Sequence, residues 1–115
     1  MKHGTLSKFR DLVVAIEFLQ HESSKGLELY KGKVILRDGS NPRILEKYRH
    51  GVLVYYSYYW LTAANDLIIG WDCAPHHPHL KTFPHHKHLA GRKKPAESEE
   101  RNLSKVLEFI AKRLR

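Results

Sequence analysis

Apolar residues near the start of the chain recur at helical spacing. Leu6, Phe9, Val13, Ile16 and Leu19 come at steps of three and four, which places them on one side of a helix over residues 5–21. Lys8, Arg10, Asp11 and Glu17 fall mostly off that side. Thr5 or Ser7 supplies a cap, and SSKG at 23–26 supplies the stop. Glu17 breaks the apolar run, so the segment reads as a helix and not as a secretion signal.

From residue 27 the pattern changes to strands. LELYKGKVILR is rich in strand formers, with Gly32 expected to mark a bulge or tight turn. DGSNP at 38–42 is a dense turn signal, and RILEKYR at 43–49 alternates. His50-Gly51 suits a two-residue hairpin turn. VLVYYSYYWL at 52–61 is apolar on both sides and predicts a central strand. TAAND turns the chain, and LIIGWD at 67–72 returns as another strand. HHKHL at 85–89 predicts a short edge strand, and GRKKPAESEE a solvated linker. Leu103, Val106, Leu107, Ile110 and Leu114 form the apolar side of a last helix, with Pro95, Glu97, Glu99 and Glu100 suited to its start. The expectation is one α+β domain over residues 1–115: N-terminal helix, four-stranded antiparallel sheet, His/Pro-rich loop and C-terminal helix.

Composition narrows the partners. The chain carries a net charge of +8 with histidines neutral. Cys73 to Ala96 holds no Asp or Glu, but it holds Lys81, Lys87, Arg92, Lys93 and Lys94. That focus favours a polyanion, RNA or DNA first and an acidic protein second, over a plain solubility surplus. A single cysteine, Cys73, excludes an internal disulfide and fits the reducing cytoplasm. No apolar run approaches the ~20 residues of a membrane span. Of the tyrosines at 55, 56, 58 and 59, alternation puts half on each side of the strand. Tyr56 and Tyr58 are assigned as the pair that meets bases.

DCAPHHPHLKTFPHHKH, residues 72–88, carries the candidate chemistry, with six of the nine histidines. Pro75, Pro78 and Pro84 exclude a helix or central strand there and stiffen the loop. Adjacent histidines in extended chain point to opposite sides, so one adjacent pair seldom shares an ion. His77 with His79, or His86 with His88, leaves a histidine-ligated metal available, with Asp72 as a carboxylate ligand. The spacing matches no zinc pattern, and no cofactor is assigned. Metal-free RNA cleavage needs a base, an acid and a cation near phosphate. Imidazole serves both proton roles near neutral pH. His76, His77, His85, His86 and His88 are the candidate acid and base, Asp72 the group that orients one of them, and Lys81 and Lys87 the phosphate contacts. Two alternatives stay open: a binding module without chemistry, and a histidine-ligated metallonuclease. Cys73 reads as a structural thiol.

At Trp71-Asp72, Ala74 to Pro78 and Thr82 to His88, the chain resembles the TumE-type toxins of prokaryotic toxin–antitoxin pairs, and the hairpin YYSYYWLTAANDLIIGWD is similar too. The likeness covers roughly residues 27–90. Two positions depart from it: Cys73 stands where the pattern has Asn, and Tyr59 where many relatives carry His. The resemblance implies a small cytoplasmic toxin neutralised by a helix-turn-helix antitoxin encoded beside it. The expected helix-plus-antiparallel-sheet layout is similar to that of the RelE/barnase-like RNase toxins, and by that fold analogy RNA is the target. The oligomeric state stays open, a homodimer included.

Overall fold

The computed structural model describes residues 3–114. Its elements are α1 (His3–Ser7), β1 (Val13–Ser24), β2 (Leu27–Leu36), β3 (Asn41–Arg49), β4 (Val52–Leu61), β5 (Leu67–Asp72), β6 (His86–Leu89), β7 (Ala96–Glu97) and α2 (Leu103–Arg113). The strands form one seven-stranded antiparallel sheet in which each pairs with its sequence neighbour. This replaces the four-stranded sheet expected above. The RelE/barnase-like layout, which rested on a long N-terminal helix beside a smaller sheet, falls with it. The four expected strands are β2 to β5, and three more join them.

The largest correction is β1, where a helix over 5–21 was expected. Only His3–Ser7 is helical. Lys25 and Gly26 both take positive φ, 49° and 81°, as a tight two-residue hairpin turn requires. That turn pairs Ser24 with Leu27 and sets the register back to Val13 and Leu36. Register shifts between Val13 and Ala15, and between Ile16 and Phe18, break the two-residue alternation. As a result Val13, Ile16 and Leu19 pair with Leu36, Val34 and Gly32 and share one face. Two bulges thus produce the three-residue step that imitates a helix. Gly32, in turn, lies inside unbroken β2 pairing and marks no bulge.

The sheet has a covered and an open face. Val34, Leu36, Ile44, Tyr56, Tyr58, Trp60, Ile69 and Trp71 are buried on the first, with Leu6, Leu12 and the α2 residues Leu103, Val106, Leu107 and Ile110. Asn102, not the upstream acids, caps α2, and its side chain accepts the Lys105 N–H at 2.9 Å. The β3–β4 turn was read correctly: His50 and Gly51 both have positive φ. The expected edge strand β6 is flanked by β7, which lies in the supposed solvated linker. Ser98 in that segment is fully buried and its N–H donates to Thr82 Oγ1 at 3.0 Å.

Candidate functional site

Strand alternation builds the site. Trp71 points into the core, so the next residue, Asp72, points to the open face. Asp72 pairs across the sheet with His86, and Gly70 with His88, so both histidines stand on Asp72's face. Between these strands, residues 73–85 run as linked tight turns: the His76, Leu80, Phe83 and His85 amides donate to the carbonyls of Ala74, His77, Leu80 and Thr82. Thr82 fastens the end of the loop, its hydroxyl donating to the His85 carbonyl at 2.6 Å.

Asp72 is the hub. One carboxylate oxygen accepts the Ala74 N–H at 3.0 Å and meets His86 Nε2 at 2.8 Å. The other lies 3.6 Å from His88 Nε2, which is ion-pair range but long for a hydrogen bond. His86 is buried, and its Nδ1 donates to the Pro84 carbonyl at 3.0 Å, because a carbonyl only accepts. Both ring nitrogens of His86 therefore face oxygen acceptors. Contacts at both nitrogens fix the ring in place.

Two more reachable imidazoles sit above this pair. His88 is 33 % exposed, and His77 is partly exposed. Ring centroids are 4.9 Å apart for His77 and His86, 4.9 Å for His86 and His88, and 6.3 Å for His77 and His88. His79 flanks His77 at 6.0 Å. Desolvation and the surrounding imidazoles of His86, His79 and His88 hold His77 below the ordinary histidine value. A neutral imidazole there accepts a proton at neutral pH.

The loop separates the candidates. Asp72, His77, His79, His86 and His88 converge. His76 is exposed, and it acts on His77 only as the weakest of the neighbouring imidazoles that lower it. His85 turns to the other side, where its Nδ1 hydrogen-bonds the Tyr56 hydroxyl at 2.8 Å. Burial, Arg101 and His86 hold His85 below the usual histidine range. Burial is also the main cause raising Tyr56, so the phenol stays protonated. The thiol of Cys73 is half-buried, is raised mainly by burial, and accepts the Tyr56 N–H at 3.4 Å.

The basic and aromatic assignments need correction. Tyr56 and Tyr58 are core residues, 2 % and 1 % exposed, and reach no bases. Tyr58 and Tyr48 donate to the buried carboxylate of Glu46. Tyr55 and Tyr59 occupy the open face instead, and the partner of Tyr58 across β3, Ile44, shares its buried side. Lys87 does not stand free for phosphate: it meets Glu100 at 2.9 Å and lies over the Phe109 ring at 5.1 Å. Lys81, Arg92, Lys93 and Lys94 are exposed. Ser57, opposite Asp72, was missed. Its signal was the strand parity that also separates Tyr59 from Tyr58.

Residues 4–114 match the family described as Toxin TumE. The chain belongs to the TumE toxin family. It is thus a toxin of the toxin–antitoxin kind, with an antitoxin as its partner. No curated protein and no solved structure matches this TumE-family chain. Among the described residues, no helix is long and apolar enough to cross a membrane.

Proposed function

We propose that this TumE-family toxin is a metal-independent endoribonuclease. The observation that carries the reading is the pairing of two reachable imidazoles, His77 and His88, above a buried Asp72–His86 pair. A phosphodiester between them meets a base and an acid. His77 takes the 2′-hydroxyl proton and the 2′ oxygen attacks phosphorus. The bond from phosphorus to the 5′ oxygen breaks, and His88, with Asp72 as counter-charge, protonates the leaving oxygen. The products are a 2′,3′-cyclic phosphate and a 5′-hydroxyl. Asp72 and His86 position and do not transfer the substrate's protons. The basic surface, including Lys81, Arg92, Lys93 and Lys94, draws the polyanion. The same reading places the toxin in the cytoplasm, neutralised by a helix-turn-helix antitoxin.

A metal-assisted reading has one observation in its favour. Ligand atoms of Asp72, His86 and His88 lie within 4.8 Å of one another, and the Pro84 carbonyl orients His86 as ligating histidines are commonly oriented. Incubating purified protein with RNA in excess EDTA separates the readings. Cleavage with cyclic-phosphate ends is expected. Cleavage only after divalent metal is restored would overturn the metal-free scheme, and binding without cleavage under either condition would overturn the nuclease.

The acid side of the pH–rate profile gives a second check. Because His77 lies below the ordinary histidine value of ~6.5, it is deprotonated at pH 7, and activity should fall only as the pH drops beneath that value. A loss of activity that begins well above pH 7 on acidification would remove His77 as the base.

A further inference from the structure

A groove on the open face adjoins the histidines. Phe18, Lys31, Arg43, Leu45, Ser57 and Tyr59 line it, and its volume is about 290 Å³. Two rows of cross-strand neighbours join it to the cluster. Arg43, Tyr59, Gly70 and His88 pair in succession from β3 to β6, and Leu45, Ser57, Asp72 and His86 form the next row. Adjacent strands lie ~4.8 Å apart, so the backbone at Arg43 is about 14 Å from that at His88.

The chemistry along this path suits a single polynucleotide strand. Tyr59 is 37 % exposed and its ring lies down over Gly70, where an added Cβ would sit 2.5 Å from Tyr59 Cε1. The missing side chain at Gly70 makes the slot that holds the ring flat. Arg43 donates to Asn41 Oδ1 at 2.9 Å and to Asn65 Oδ1 at 3.4 Å. These neutral acceptors aim the guanidinium without cancelling its charge. Lys31 is exposed at the same groove. Lys33 differs, because Glu17 meets it at 2.7 Å. Two cations with an aromatic platform between them and the cluster are what phosphates and a stacked base require.

We propose that this groove is a single-stranded RNA track, with Lys31 and Arg43 on phosphates and Tyr59 against a base. It delivers the neighbouring phosphodiester to His77 and His88, and in that respect rests on the nuclease reading. Binding itself needs no chemistry, so the two can fail separately.

The test is fluorescence anisotropy with a labelled 12-nucleotide RNA of mixed sequence in EDTA, using His88→Ala as the parent so that the RNA stays intact. Lys31→Ala with Arg43→Ala should weaken binding at least tenfold at low salt and flatten the log–log salt dependence by about 1.4, the share of two phosphates. Tyr59→Leu should weaken it about tenfold, with the salt slope unchanged. Gly70→Ala, which evicts the ring, should resemble Tyr59→Leu. Lys105→Ala with Lys112→Ala removes the same charge from the helical side and should stay within twofold. Groove variants within twofold of the parent would overturn the track, including the case in which the groove holds an acidic peptide instead. With His88 restored, RNA cleavage at unchanged kcat/KM in the groove variants would also overturn it and leave the chemistry standing. Loss of binding in a protein that never cleaves would keep the track and remove the nuclease.

Discussion

His88→Ala is expected to lower RNA cleavage about 10²–10⁴-fold, the usual contribution of one positioned acid or base. The fold should survive. His88 is partly exposed, and Asp72 keeps the Ala74 N–H and His86 as partners. The stability cost should be about 1 kcal/mol, or about 4 °C in Tm. His86→Ala is a poorer test of the same point. That ring is buried between the Pro84 carbonyl and Asp72, so its removal takes a partner from each of them and costs stability as well as activity. Gel-based cleavage and a thermal melt on His88→Ala settle the matter together. Cleavage within threefold of wild type in a folded His88→Ala protein would take His88 out of the mechanism.

The largest stability loss should come from the residue next to the hub. Trp71 is fully buried, its ring edge-on to Phe109 at 5.6 Å, and its indole N–H donates to Glu100 at 3.1 Å. Trp71→Ala should cost about 3–5 kcal/mol, against a whole-domain stability of about 5–15 kcal/mol. It also releases Glu100, which holds Lys87. Urea titration should show a midpoint lowered by about a fifth or more, or no folded protein. Trp71→Phe should restore part of the loss, because it keeps an aromatic ring in the core while giving up the N–H and some buried volume. A Trp71→Ala protein with the wild-type midpoint would mean that α2 is not held on the sheet through this contact.

The central strands were legible because β-branched and aromatic runs between turn signals have few other uses. His50-Gly51 needed only the conformations its residues prefer. β1 was illegible for a definite reason: its bulges rewrote the spacing of Val13, Ile16 and Leu19. β7 was illegible because Ala96 and Glu97 join the sheet through backbone pairing alone, which leaves no apolar mark. Tyr56 and Tyr58 were misplaced because a run apolar on both sides does not reveal which parity faces the core. In the site, the divergence of His85 from His86 follows from alternation and could be read. The convergence of His77 on His86 and His88 could not, since it depends on how a thirteen-residue loop, 73–85, closes between strands.

The neighbour-to-neighbour order of the strands bears on when activity can arise during synthesis. Each hairpin closes over a short stretch of chain, so the sheet can grow in the direction of translation without waiting for distant segments. Asp72 comes on the fifth strand, His86 and His88 on the sixth, and the helix behind Trp71 after all the strands. A nascent chain that stops short of β6 holds Asp72 but neither of these histidines. On the nuclease reading proposed above, the acid–base cluster is therefore incomplete until β6 has been made.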